Sequence, residues 1–128
     1  MPQTVRYNKI LIYAREEAER LQNTEVLAEH LLLGIVRLNE GLAFDLLTRA
    51  GWIAEEAKEQ LAEALRGPDS DMLQPVVRSA QVERILRIAE SEATACGDEA
   101  VGSVHLILAI LREHINRAAA YLESHWQI

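Results

Sequence analysis

Apolar residues recur along the chain at three- and four-residue steps, the spacing of one face of an α-helix. Tyr7, Ile10, Leu11, Ala14, Ala18 and Leu21 form the first run and predict a helix over residues 5–21. Thr4 stands where an N-cap belongs, and a polar turn, Gln22 to Glu25, follows. Leu31, Leu32, Leu33, Ile35 and Val36 make a second helix, residues 29–38, apolar on most sides. Such a helix is expected at the buried centre of its unit. Asn39-Glu40-Gly41 breaks it. A short third helix over 42–49 ends at Gly51, a suitable C-terminal cap. A fourth covers 53–66, with Ile53, Ala57, Leu61, Ala64 and Leu65 on one side, and Gly67-Pro68 stops it. Residues 67–78 read as a linker. Ser79 then caps a fifth helix, 80–95, whose apolar face runs from Val82 to Cys96. Gly97-Asp98 turns the chain, Ser103 caps a sixth helix over 104–112, and a seventh covers 117–124.

The order of elements before the linker returns after it. Residues 7–52 slide onto 82–127 without a gap. Ile10, Leu11, Ala14, Glu17 and Ala18 then meet Ile85, Leu86, Ala89, Glu92 and Ala93. Val26, His30, Leu31, Leu33, Ile35 and Arg37 meet Val101, His105, Leu106, Leu108, Ile110 and Arg112, and Ala43 and Leu47 meet Ala118 and Leu122. Two copies are too few, and the period too long, for a solenoid. The expected fold is all-α: one domain of two pseudo-twofold helical repeats, 4–66 and 79–128, joined by the linker. Ile53 corresponds to Ile128, where an eighth helix would begin. The chain therefore reads as a fragment of a longer protein, or as a repeat protein without its last helix.

Composition narrows the function classes. The chain has 128 residues, enough for one domain with a core of its own. Thirteen Lys and Arg against twenty Asp and Glu leave a net charge of −7. A nucleic-acid module is disfavoured, because its affinity comes from a basic face on phosphates. One cysteine, Cys96, excludes an internal disulfide framework and a cysteine-rich zinc site. No apolar run reaches the roughly 18 residues of a membrane span, and no signal-peptide core stands at the N-terminus. A cytoplasmic protein is the expectation, with neither membrane nor nucleic acid as partner.

Ala28-Glu29-His30-Leu31-Leu32-Leu33-Gly34-Ile35 and Ser103-Val104-His105-Leu106-Ile107-Leu108-Ala109-Ile110 carry a resemblance to a known family. With Ala14-Arg15-Glu16-Glu17-Ala18 and Asn39-Glu40-Gly41, they resemble the Clp N-terminal repeat. The chain is most similar to the ClpC-type N-domain of AAA+ unfoldases, with the ClpB type next. The resemblance covers essentially the whole chain and implies a fold of two four-helix repeats. It implies a recognition module that presents protein substrates and adaptors to an ATPase acting in protein degradation, and no catalysis in this chain. No phosphate-binding Gly-x-x-x-x-Gly-Lys-Ser/Thr loop occurs, so ATP would bind elsewhere in the parent protein and no cofactor is expected here. As an isolated domain it is expected to be a monomer. The alternative is a free-standing repeat protein acting as an adaptor or decoy.

ClpC-type repeats bind phosphorylated arginine, and the physics suits them: phosphate on a helix N-terminus, guanidinium on a carboxylate. The family positions match Thr4 and Glu29 in the first repeat, and Ser79 and Val104 in the second. One working site at Thr4 and Glu29 is expected, with Ser79 a weaker contributor because Val104 cannot accept a guanidinium hydrogen bond. Thr4 and Glu29 are equally explained as an N-cap and a first-turn acid. His30 and His105 fall in the first turn of buried helices, where a structural role outweighs a metal-binding or catalytic one. His114 and His125 lack ligand-like spacing. Cys96 is expected to be buried and inert. Glu16, Glu17, Glu19 and Arg20, and the acids and Lys58 of the fourth helix, read as solvated faces. Trp52 and Trp126 are expected to close the two bundles. The groove between repeats is a candidate surface for an unfolded chain or an adaptor helix.

Overall fold

The structure, a computed structural model, describes residues 1–67, 75–113 and 121. Its helices are α1 (Val5–Arg20), α2 (Ala28–Leu38), α3 (Leu42–Arg49), α4 (Ala54–Leu65), α5 (Ala80–Ala95) and α6 (Ser103–Arg112). Two-residue strands, β1 (Glu25–Val26) and β2 (Val77–Arg78), complete it. The chain is all-α apart from these short pairings. Apart from Tyr121, the predicted seventh helix lies outside the described residues, as do His114, His125, Trp126 and most of the linker.

Thr4 and Ser79 start α1 and α5 in the same way. Each has φ −68° and ψ 159°, and each hydroxyl accepts a first-turn amide. Tyr7 donates to Thr4 Oγ1 and Val82 to Ser79 Oγ, both at 3.1 Å. Such a cap contributes about 1 kcal/mol.

The starts of α2 and α6 use another device. No Ser or Thr stands at either N-cap position; these hold Leu27 and Gly102. The N3 histidines turn back instead. The Leu27 amide donates to His30 Nδ1 at 2.8 Å, and the Gly102 amide to His105 Nδ1 at 2.9 Å. An amide N–H can only donate, so Nδ1 is the acceptor and each ring carries its proton on Nε2. Nε2 of His30 donates to Asn23 Oδ1, and Nε2 of His105 to Asp98 Oδ2, both at 2.7 Å.

Every residue of α2 from Ala28 to Val36 is buried. The all-round apolar pattern of this helix therefore places it at the centre of its unit. Gly34 sets how closely α1 approaches α2. A Cβ there would lie 2.6 Å from the Ile10 carbonyl oxygen and 3.3 Å from the Ala14 amide nitrogen. The equivalent position on α6 is Ala109, fully buried.

The repeats are joined crosswise. β1 pairs in parallel with β2, Glu25 opposite Val77 and Val26 opposite Arg78. At the equivalent place, Gln3 bridges to Val101. The Ser79 amide donates to the Val26 carbonyl (3.1 Å), and the Thr4 amide to the Val101 carbonyl (3.0 Å). The N-cap of α1 is thus held by the segment leading into α6, and that of α5 by the segment leading into α2.

Several sequence expectations are corrected. The linker does not run to residue 78, because Val77 and Arg78 are strand. Ser103 is the first residue of α6 rather than its cap; its Oγ accepts the Ala43 amide at 3.3 Å, tying α3 to α6. Cys96 is exposed, because it is the C-cap of α5 and not part of its face. Glu17 is buried, its carboxylate 2.7 Å from Arg20 Nε, so it does not belong to the solvated face of α1. Trp52 packs edge-on against Tyr121, with ring centroids 5.2 Å apart.

Candidate functional site

Crosswise pairing brings the N-termini of α1 and α6 together. Between them opens a cavity of about 620 Å³ whose walls include Thr4, Val5, Arg6, Lys9, Glu40, Leu42 and residues from Asp98 to His105. The first-turn amides of a helix have no intrahelical acceptor, and the helix dipole makes this end positive. Arg6 and Lys9 add two exposed cations on the same side. Arg6 Nε lies 3.9 Å from Glu40 Oε1, with both side chains more than half exposed, so this pair holds the guanidinium only weakly. Glu99, also exposed, adds a carboxylate to the lining.

The predicted pairing of Thr4 with Glu29 is not what this arrangement presents. Thr4 shares its cavity with Val104, and Glu29 is absent from the lining. Glu29 is buried in the first turn of α2, which follows the strand held against β2 and Ser79. The positions equivalent to Arg6 and Lys9 on α5 are Gln81, which is neutral, and Arg84, whose Nε lies 3.3 Å from Glu113 Oε2. Cations and an open cavity therefore go with Thr4, and the first-turn carboxylate goes with Ser79. Sequence reasoning matched residues within a repeat, whereas the strand pairing exchanges them between repeats. Arg6, Lys9 and Glu99, which also line the cavity, were not among the residues expected there. Their signal was the position of Arg6 and Lys9 two and five residues after the Thr4 cap.

Asp98 and His105, which line this cavity, and Cys96 have their ligand atoms all within 4.8 Å of one another. The histidine argues against a cation there. A metal-bound imidazole normally donates its second N–H outward. Here Nδ1 already accepts the Gly102 amide, and Nε2 holds the proton that Asp98 receives. A cation on Nε2 would break both hydrogen bonds. A second cleft, about 190 Å³, lies between the halves against Leu11, Ile12, Val26, Val76 and Val82.

Tyr7 is buried under the first turn of α1. Its phenol is pushed up to about 12, first by burial and then by Glu90, while Arg78 draws it back. The folded state thus favours the protonated phenol. Its contribution to stability is whole below the ordinary value of 10.0 and is lost as the pH rises through about 12. Tyrosinate absorbance should show one tyrosine ionising near pH 12, and Tyr7→Phe should remove that step. Ionisation of every tyrosine near pH 10 would contradict it.

Fold and cavity together define a class: a two-repeat, all-α domain with a recessed cavity between the repeats. The chain belongs to the family described as the Clp repeat (R) N-terminal domain, which matches residues 3–125. It is 33% identical over 121 residues to the negative regulator of genetic competence ClpC/MecB of Bacillus subtilis, covering 94% of this chain and 15% of that protein. It is 31% identical to the chaperone protein ClpB of Oceanobacillus iheyensis over a similar span, 94% of this chain and 15% of that protein. The N-terminal domain of ClpD from Arabidopsis thaliana superposes with a TM-score of 0.76 at 20% identity, covering 95% of this chain and 85% of that one. The chain thus spans a small part of the length of its full-length relatives. Among the described residues, no helix is long and apolar enough to cross a membrane.

Proposed function

We propose that this domain recognises protein substrates and adaptors for a Clp-type unfoldase in the cytoplasm, and that it reads phosphoarginine-type tags in the Thr4 cavity. The open cavity between the α1 and α6 N-termini, with Arg6 and Lys9 on one wall, is the observation that supports this reading. Phosphate suits the first turn of α1, where amides, Arg6 and Lys9 converge. The guanidinium then meets Glu99, which takes the role that the family resemblance assigned to Glu29. Val104 supplies apolar wall. The ATPase that would consume a captured substrate belongs to the parent protein that this reading implies.

The test is an amide NMR titration with free phosphoarginine, beside arginine and phosphate controls. Saturable shifts are expected at Thr4 to Tyr7 and Gly102 to Val104. Removing both cations, as Arg6→Ala with Lys9→Ala, should weaken binding by about tenfold or more, because hydrogen bonds to charged groups contribute about 1.5–3 kcal/mol each. Glu29→Gln should leave it unchanged. Shifts centred on Ser79 and Glu29, or an equal response to phosphate alone, would overturn this assignment.

A further inference from the structure

The Thr4 cavity has more room than one tagged side chain takes up. Its volume is about 620 Å³, within the range of about 300–1,000 Å³ that holds a drug-sized ligand. Beside its cations it has an apolar part. Val5 is 71% exposed and Leu42 64% exposed, and both line the cavity, as does the partly buried Val104. The fold does not call for apolar side chains at the two exposed places. Their equivalents in the second repeat are Ala80 and Arg117, and valine starts a helix no better than alanine.

Single exposed apolar residues are ordinary on a protein surface. These two are set around one cation. Val5 precedes Arg6 in the chain. Leu42 follows Gly41, and the Arg6 stem lies over that glycine: a Cβ on Gly41 would stand 2.7 Å from Arg6 Cδ and 3.3 Å from Arg6 Nε. Apolar surface and phosphate-binding charge are therefore continuous, and a ligand that meets one is carried to the other. A peptide covers roughly 3.3–3.6 Å per residue, so a residue one or two positions from a bound tag stays within reach of this surface. We infer that the cavity takes an unfolded peptide with an apolar residue one or two positions from its phosphoarginine, that residue lying against Val5 and Leu42 while the phosphate meets Arg6 and Lys9. This rests on the reading of the cavity as a phosphoarginine site. Large apolar residues are mostly buried in folded proteins, so a tag with an accessible apolar neighbour marks a chain that has lost its fold.

The probes are end-capped five-residue peptides with phosphoarginine at the centre, flanked on each side by two serines or by two leucines, and the leucine peptide with plain arginine. Each is titrated by amide NMR into wild type and the double variant Val5→Ala with Leu42→Ala. The tagged leucine peptide should bind wild type about five- to tenfold more tightly than the tagged serine peptide, the gain from partly burying a leucine. That ratio should fall to about one in the variant. Raised salt should weaken both tagged peptides and leave the ratio in place, because screening acts on charge and not on apolar burial. Alanine is the best helix former and both sites are exposed, so the fold should survive, as circular dichroism would check. Equal affinity of the two tagged peptides, with the serine peptide still saturable, would overturn this inference alone. A preference kept in the variant would also overturn it, by placing the leucines elsewhere. No saturable binding of either tagged peptide, or plain arginine binding as tightly as phosphoarginine, would overturn the phosphoarginine reading and this inference with it.

Discussion

Gly34→Ala is expected to destabilise the fold by about 1–3 kcal/mol, read as a lower midpoint in urea unfolding followed by circular dichroism. Two effects oppose each other. Alanine is the better helix former by about 1 kcal/mol, which would stabilise α2. Its methyl would also sit 2.6 Å from the Ile10 carbonyl oxygen, a contact with backbone that no rotamer change relieves. Overpacking of this kind costs about 1–3 kcal/mol, occasionally more, and here it must separate α1 from α2. The close approach therefore wins. Gly34→Val should be worse still, because its branched side chain enlarges the clash. The equivalent residue of the second repeat, Ala109, is buried with its methyl already accommodated. Ala109→Gly should cost only about 1 kcal/mol in helix propensity, plus a small cavity term. An unchanged midpoint in Gly34→Ala would mean that α1 and α2 are free to move apart, and that the crossing is not set by this glycine.

His30→Ala carries the second large effect, about 3–4 kcal/mol. The imidazole is fully buried. Removing it leaves the Leu27 amide without its acceptor and Asn23 Oδ1 without its donor, and a buried polar group left unpaired costs about 1–3 kcal/mol. A cavity term adds to this. Asn23 also holds the carboxyl-terminal end of α4, so loosening it weakens the docking of that helix. His105→Ala should cost roughly half as much. Its partner Asp98 is half exposed and water can replace the lost donor. Equal losses in the two variants would show that solvent access at Asp98 does not matter.

Helix positions were legible in the sequence because a 3.6-residue apolar period is a local signal repeated over several turns. Thr4 and Ser79 were legible as caps for the same reason: the hydroxyl, the turn and the apolar run stand together in the chain. The histidine caps were half legible. His30 and His105 could be assigned to first turns, but the ring's return to its own N-cap amide depends on a rotamer that spacing does not determine. Cys96 misled because it continues the apolar spacing of α5 one step beyond the helix end. Ser103 misled because a serine ahead of an apolar run has the appearance of a cap, while Gly102 occupies the cap and Ser103 Oγ is drawn to Ala43 on another element. The site was least legible of all. Two-residue strands leave no pattern, and the pairing of Gln3 with Val101 joins residues far apart in the chain. That pairing decides which cap faces which helix, so the roles of Thr4, Ser79, Glu29 and Val104 were out of reach of any comparison made within one repeat.

The reciprocal bridges have an evolutionary reading. In a symmetric homodimer, residue i of one subunit meets residue j of the other, and j meets i in return. Gln3 with Val101, and Arg78 with Val26, obey this rule inside a single chain. The domain has the form of an ancestral dimer whose subunits became covalently joined by gene duplication and fusion. In a symmetric dimer, any change at one cleft is imposed on both. After fusion, each copy could drift alone, and Glu29 opposite Val104, or Asn23 opposite Asp98, is the kind of divergence that only a fused pair can accumulate.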